Sequence, residues 1–441
     1  METYFIETWG CQMNVLDSQR LEGLLLARGM RRVERADDAD VAVLNTCSVR
    51  DKAVQKVLSR LGELRVSRQA CGRPRAIGLC GCVGEQEGER LFGRGAAPDF
   101  VLGPGRIVNL PAALDAAVDG RRVSFTGFSE DPLYDPGTIA RGTSARQAIT
   151  VVHGCNQKCT FCVVPYTRGR ESSRPLDEIV AEATAVVAAG AKEITLLGQT
   201  VNAYRCPATG ADFGDLIEAV AAVAGVWHVQ FVTSHPKYFN QRMIGKIAAT
   251  WSRGGYLHVP FQAGSDAVLR RMHRSYTRAA YLELVAALRV AMPNLTLSTD
   301  VIVGFPGEDN DDFAATLDLI RSVRFGQLFG FAFSPRPRTP AARYTRQVDR
   351  AVASERLEQV FELQAAVQLA LNQSMVGRSV EILIDGPAHK GSGLWQGRGV
   401  DNRVVNVLGW SGIAAGQLAT VVITGATAHS LLADRDLLPL A

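Results

Sequence analysis

Within HGCNQKCTFCVVPYTRGR (153–170), Cys155, Cys159 and Cys162 form a CxxxCxxC directly after an apolar run, Ala148–Val152, that reads as a strand. Three thiolates crowded on one loop repel each other unless a metal takes up their charge. Zinc usually closes a tetrahedron with a fourth protein ligand, and no His or Cys follows here at a suitable spacing. A four-iron cluster held by only three cysteines leaves one iron open to a substrate or cofactor. The competing reading is three unrelated core cysteines.

A second set is dispersed. Cys11 stands in TWGCQMN (8–14), Cys47 in LNTCSVRDKA (44–53) and Cys82 in LCGCVGEQEGE (79–89), each just after a strand-like run. Loops that follow successive parallel strands emerge on one edge of the sheet, where ligands of open α/β sheets bind. These three cysteines would therefore converge into a second metal site; chance buried thiols are the alternative. Cys80 competes with Cys82, but it extends the strand and is expected to point into the packing, whereas Cys82 lies beyond Gly81 in the loop. Cys82 is the expected third ligand. Cys71 and Cys206 fall outside both sets and read as ordinary free thiols.

The elements that would position these residues are legible. Over residues 1–118, strands at Tyr4–Thr8, Val41–Leu44, Ala76–Leu79 and Phe100–Leu102 alternate with helical patterns near 15–28, 50–65, 86–92 and 106–118. Such alternation implies a doubly wound parallel sheet covered on both faces. Residues 119–145, rich in Gly, Pro, Asp and Arg, read as a linker. From 146 to about 335 the alternation resumes, with strands at Ala148–Val152, Glu193–Leu197, Val229–Thr233, Leu257–Pro260, Leu297–Val303 and Leu328–Phe333, until SPRPRTP (334–340) ends it. Six right-handed βα units are too few to close an eight-stranded barrel, so an open (β/α)6 partial barrel is expected, with its chemistry at the C-terminal strand ends. A single helix over 350–376 leads into short strands with Gly and Asn turns, a small C-terminal β-barrel over 375–441.

At 441 residues, 47% apolar and 21% charged, the chain can bury a sizeable core. Its most apolar stretch, Leu216–Val232, carries Glu218, His228 and Gln230 and falls short of a membrane span. METYFIETWG has no basic segment followed by an apolar run, so a cytoplasmic location and no membrane partner are expected. Nine cysteines in that compartment argue for metal binding rather than disulfides. A net charge of +4 names no partner. Locally, 270–278 holds four arginines and 321–346 six, neither run with an acid; each is a nucleic-acid contact or a solvated face.

The CxxxCxxC loop resembles the signature of the radical S-adenosylmethionine (SAM) superfamily, in which the open iron chelates SAM and electron transfer cleaves it to a 5′-deoxyadenosyl radical. The whole chain is similar to the methylthiotransferases, and to their MiaB branch in particular. TWGCQMN (8–14), GCNQKCTFCVVPYTRGRESSRP (154–175), LLGQTVNAY (196–204), SHP (234–236), STDVIVGFPGE (298–308), SPRPRTPAA (334–342) and NRVVNV (402–407) carry the resemblance. The sequence departs from the family pattern at His153, Gln230, Ala263 and Arg338, none of them an expected cluster ligand.

The resemblance implies an N-terminal methylthiotransferase domain (1–118), a radical SAM core (146–374) and an OB-like TRAM module (375–441). It implies two [4Fe-4S] clusters, one on Cys155, Cys159 and Cys162, the other on Cys11, Cys47 and Cys82 for sulfur transfer. The substrate implied is transfer RNA bearing N6-isopentenyladenosine 3′ of the anticodon, methylthiolated at C2 with SAM as both methyl donor and radical source. Gly198, Gln199, Ser234, Asp300 and Glu308 are the expected SAM contacts, with pairing to a nearby arginine the alternative for the two acids. Arg270, Arg271, Arg274, Arg398 and Arg403 are the expected tRNA contacts, and Phe261, Phe331 and Phe333 at the barrel mouth are either an apolar lining for the isopentenyl group or simply barrel core. A flavodoxin- or ferredoxin-like electron donor and a monomeric state are expected; the sulfur donor stays open.

Overall fold

The computed structural model describes residues 1–48, 51–93, 97–128, 136–388 and 393–435. The N-terminal sheet is wholly parallel, in the order Arg31–Arg32, Thr3–Trp9, Val41–Thr46, Ala76–Gly81, Phe100–Leu102, Val123–Phe125. Its two central strands, VAVLNT and AIGLCG, are buried at every position, as strands covered on both faces must be. Alternation divides their side chains. Val41, Val43 and Cys80 pack with Leu21 and Leu25 of helix Gln12–Ala27 and with Leu110 and Leu114 of helix Leu110–Val118. Ala42, Leu44, Ile77 and Leu79 pack on the other face with Val57, Leu61 and Leu64 of helix Asp51–Cys71.

The segment expected to be only a linker contributes the sixth strand, Val123–Phe125, paired in parallel with Phe100–Leu102. Three residues are too few to show a period of two, so this strand leaves no signal in the sequence. The strand expected at Ala148–Val152 is shifted to Arg146–Thr150. It is followed by a two-residue strand, Val152–His153, that pairs antiparallel with Ser172–Ser173 and turns the chain into the cysteine loop.

The central region holds six parallel strands as two three-stranded sheets. One comprises Arg146–Thr150, Glu193–Leu197 and His228–Phe231; the other Gly255–His258, Leu295–Val303 and Gln327–Ala332. One apolar core runs across both, from Ile149, Ile194 and Phe231 to Leu257, Leu297 and Phe325. The joint between them is tied by Trp251 Nε1–H donating to the Val229 carbonyl at 2.7 Å. The result is an open half-barrel. Met13 and Leu16 of the first helix pack against Leu197 and Ala148, seating the N-terminal domain on this half-barrel.

Helix Arg350–Gln373 leads to a closed five-stranded barrel in the order Ser379–Pro387, Leu394–Arg398, Val404–Leu408, Leu431–Arg435, Leu418–Ala426. Ile382, Ile384, Val405, Val407, Val421 and Ile423 fill it, the inward half of alternating strands. It docks on the strand starts of the half-barrel. Glu381 accepts from Trp227 Nε1 and from Arg253, each at 2.6 Å, and Asp385 accepts from Arg146 Nε at 3.2 Å. No helix among the described residues is long and apolar enough to cross a membrane.

Candidate active site

The sheet edge brings the dispersed cysteines together. Cys11 follows Thr3–Trp9, Cys47 follows Val41–Thr46 and Cys82 follows Ala76–Gly81, three adjacent strands ending on the same side. Gly81 makes the last turn possible: its φ is +88°, and a Cβ there would stand 2.3 Å from Asn45 Oδ1 and 2.7 Å from the Thr46 carbonyl. Cys47 hydrogen-bonds to both Cys11 and Cys82. Those bonds, and secondarily the positive charge of Arg168, lower the Cys11 and Cys82 thiols to about 6, although burial opposes the shift. Cys47, flanked by both of these sulfurs and buried, is raised. Cys80 is fully buried in the sheet core and raised by that burial, with the Asp17 carboxylate adding to it. It is not part of this group.

The central loop lies at the C-terminal end of its strand. Gly154 (φ +70°) turns it, and a Cβ there would meet the Arg170 carbonyl at 2.0 Å. The Cys155 N–H donates to the Gly169 carbonyl at 3.1 Å, and its sulfur lies 3.2 Å from Thr200 Oγ1. Cys159 Sγ accepts from Arg274 Nη1 at 3.3 Å, and the Cys162 N–H donates to the Cys159 carbonyl at 3.1 Å. Burial raises the thiols of Cys155 and Cys162, the latter to about 12. Thr160, between them, donates through Oγ1 to the Arg271 carbonyl at 2.8 Å and through N to the Met272 carbonyl at 3.1 Å.

Other expected contacts are distributed unevenly. Gly198 lies against Val152 just past Glu193–Leu197, and Gln199 Oε1 is a buried acceptor without a partner among the described residues. The Ser234 hydroxyl donates to the His258 carbonyl. It follows Thr233, a β-branched residue at φ +63°, a conformation that costs about 1–3 kcal/mol and tends to occur where a site demands it. Asp300 is partly exposed beside His258 Nε2 at 3.4 Å. Glu308 is the one drawn away: it is buried, ion-paired to Arg356 at 2.7 Å and bonded to the Gly304 N–H at 2.8 Å. The arginine pairing weighed as its alternative role is the one this structure has.

Several expected RNA contacts also have internal partners. Arg271 pairs with Asp312 at 3.0 Å, and Arg274 reaches Cys159, Pro260 and Tyr276, while Arg270 is exposed. Arg398 pairs with Asp385, and Arg403 is held by Asp401 and Asn372. Phe261 is fully buried and stacked on Phe325 with ring centroids 5.6 Å apart, so it is half-barrel core rather than lining. Phe331 and Phe333 are half-buried at the strand end. Arg168 and Thr200 beside the cysteines were not singled out from the sequence. For Arg168 the only signal was its place six residues after Cys162.

Among the described residues, no group of three or more His, Cys, Asp or Glu stands as it would around a single metal ion. The donor set is three thiols in each group, with an arginine at one sulfur of each. Soft thiolates beside fixed cations suit an iron–sulfur cluster with one open iron better than a four-ligand zinc site.

A parallel half-barrel with CxxxCxxC at its C-terminal edge places the chain in the radical SAM class, and the model of the radical SAM superfamily matches residues 149–320. A model described as uncharacterized protein family UPF0004 matches residues 3–103. Over 98% of this chain and 93% of its relative, it is 43% identical to a tRNA-2-methylthio-N(6)-dimethylallyladenosine synthase of Sorangium cellulosum. Synthases of the same name from Alkalilimnicola ehrlichii and Maricaulis maris are each 41% identical over 97% of this chain and 96% of theirs. The chain belongs to the tRNA-2-methylthio-N(6)-dimethylallyladenosine synthase family. In fold it is similar to the radical SAM methyltransferase TsrM from Kitasatospora setae (TM-score 0.53, 16% identity, 78% of this chain and 75% of that one). It is also similar to the cobalamin-dependent SAM radical enzyme OxsB (TM-score 0.51, 12% identity, 82% and 56%).

Proposed function

We propose that this protein is a radical SAM tRNA methylthiotransferase that converts N6-isopentenyladenosine, 3′ of the anticodon, to its 2-methylthio derivative. The observation that carries this reading is the pairing of two three-cysteine groups, one on the sheet edge and one on the half-barrel edge, in a chain matched end to end by synthases of that name. An aromatic C–H is not deprotonated by side chains whose reference pKa values run from about 4 to 14, so radical chemistry is the accessible route. When bound, a cluster on Cys155, Cys159 and Cys162 supplies the electron for SAM cleavage, and a second on Cys11, Cys47 and Cys82 holds the sulfur to be transferred.

The chain's own residues then bind and orient. Gln199 Oε1 offers SAM a buried acceptor, and Asp300 a carboxylate at the open strand end. Arg274 holds Cys159, and Thr160 pins the loop to 271–272. Residues 1–118, with the strand Val123–Phe125 that completes their sheet, serve as the sulfur-donating domain, 146–374 as the radical core and 375–441 as an RNA-binding module. A small electron-transfer protein as reductant, a monomeric state and a cytoplasmic location accord with this reading.

Burying a branched apolar chain of this size contributes roughly 1.5–3 kcal/mol, which corresponds to about a tenfold to hundredfold preference over unmodified adenosine. The test offers the enzyme three anticodon stem-loops that differ only in the group on N6 of the target adenosine: none, isopentenyl or threonylcarbamoyl. Faster methylthiolation of the isopentenylated RNA is expected. Equal rates would refute the substrate assignment, and reaction only with a threonylcarbamoylated stem-loop would move the protein to a sibling activity.

A further inference from the structure

Arg168 ends the short helix Val164–Arg168 that begins two residues after Cys162, yet its side chain reaches across to the N-terminal domain. Its Nη2–H donates to Asp17 Oδ2 at 2.7 Å, on the first helix of the N-terminal domain, and the two side chains are only 5% and 4% exposed. The same guanidinium hydrogen-bonds to Cys82 and lies close enough to Cys11 to interact with its charge. Asp17 also lies 3.9 Å from Arg20. At this same end the helix is joined to the central triad: Gly169, the next residue, accepts from the Cys155 N–H at 3.1 Å. One arginine therefore spans the two cysteine groups.

A guanidinium stays protonated in any protein environment and presents a rigid fork of donors. Taking it and a carboxylate out of water is costly, and a buried pair is weak evidence for stability as such. Its placement calls for a reason beyond gluing two domains, and the hydrogen bond to Cys82 supplies one. We propose that Arg168 is a positioning residue for the N-terminal triad: held by Asp17, its guanidinium fixes a positive charge against the Cys82 sulfur and ties that site to the loop of the central triad. This inference rests on the reading of Cys11, Cys47 and Cys82 as a cluster site.

Hydrogen bonds to the sulfurs and local net charge set the potential of a protein-held iron–sulfur cluster. Reduction adds negative charge, which Arg168 stabilises and Asp17 opposes, so their removal acts with opposite signs. Groups of this kind around a metal site typically affect metal affinity or activity by about tenfold to hundredfold.

The test uses the full chain with Cys155, Cys159 and Cys162 all changed to Ala, so that only the N-terminal triad can load. Iron and sulfide content, cluster loss to a chelator, and the midpoint potential by EPR-monitored titration are compared for that parent and for added Arg168→Gln, Arg168→Lys and Asp17→Asn changes. The expected result is that Arg168→Gln moves the midpoint negative and speeds cluster loss about tenfold or more. Arg168→Lys should restore part of both, and Asp17→Asn should move the midpoint positive. An Arg168→Gln midpoint equal to the parent's, or shifts of the same sign in Arg168→Gln and Asp17→Asn, would overturn the proposal and leave the cluster reading intact. A parent that binds no iron would instead overturn the cluster reading, and this inference with it. Should Arg168→Gln not fold, Asp17→Asn and Arg168→Lys decide on their own: an unchanged midpoint in both overturns the proposal.

Discussion

Arg274 donates from Nη1 to the sulfur of Cys159 at 3.3 Å, while its Nε bonds Tyr276 Oη at 3.1 Å and its Nη2 the Pro260 carbonyl at 3.4 Å. An arginine from a run that reads as an RNA-binding stripe is thereby turned inward onto the central cysteine loop. Arg274→Ala should lower SAM cleavage about tenfold to hundredfold with little change in tRNA affinity. Its neighbour Arg270, which is exposed, should show the reverse. Deoxyadenosine release under reducing, oxygen-free conditions and a tRNA binding isotherm measure the two effects. Loss of tRNA affinity in Arg274→Ala with cleavage intact would contradict this assignment.

The two cysteine groups should separate by function. Replacing Cys155, Cys159 or Cys162 with Ala should abolish reductive SAM cleavage. Replacing Cys11, Cys47 or Cys82 should leave some cleavage but stop thiolation. Cys80→Ala should leave both activities standing, because its sulfur lies in the sheet core rather than at the edge. A Cys80 variant that makes no product beside a Cys82 variant that does would reverse that choice of ligand.

Truncation after Met375 removes the C-terminal barrel. It should weaken tRNA binding and preserve SAM cleavage, because the barrel docks on the strand starts at Arg146, Trp227 and Arg253, the end of the half-barrel opposite the cysteine loop. Log affinity of the intact protein should fall with log salt by about 0.7 to 0.9 for each neutralised phosphate, and the truncated protein should show a shallower slope. Equal affinity and slope in both would mean the barrel does not touch RNA.

His228 supplies a pH dependence. It is buried between Trp227 and Trp251, and burial, reinforced by Arg253 and Arg146, holds it down at about 3 against an ordinary 6.5. Unfolding thus takes up a proton between those values. The stability it contributes is present above about pH 6.5 and is lost as pH falls toward about 3, by up to 1.4 kcal/mol per pH unit. His235, also held at about 3 chiefly by burial, acts in the same window. Melting curves from about pH 8 down to about pH 5 should show a shallower acid loss for His228→Phe than for the parent; parallel curves would reject the account.

The elements most legible in the sequence were those with a strong period. VAVLNT and AIGLCG read as doubly covered strands, and they are. What escaped were relationships between distant residues. Arg168 and Asp17 are 151 positions apart, and Arg274 and Cys159 are 115 apart. No local pattern records that a guanidinium will cross a domain boundary, and a basic stripe looks the same whether its arginines face RNA or a buried sulfur. Phe261 and Glu308 took their alternative roles, core packing and arginine pairing, for a related reason: position at a strand end was legible, but the partners Phe325 and Arg356 were not.

The contrast between the two triads also bears on how the protein is assembled in the cell. Cys155, Cys159 and Cys162 sit within eight consecutive residues, so an incomplete chain already brings them near one another. Cys11, Cys47 and Cys82 become neighbours only when three adjacent strands have paired, at about 4.8 Å per strand. On the proposed assignment of the cysteines, the N-terminal domain must therefore be folded before it can accept iron, whereas the central loop needs no such order. Maturation should run in two stages, with a singly loaded species as the natural intermediate of biogenesis.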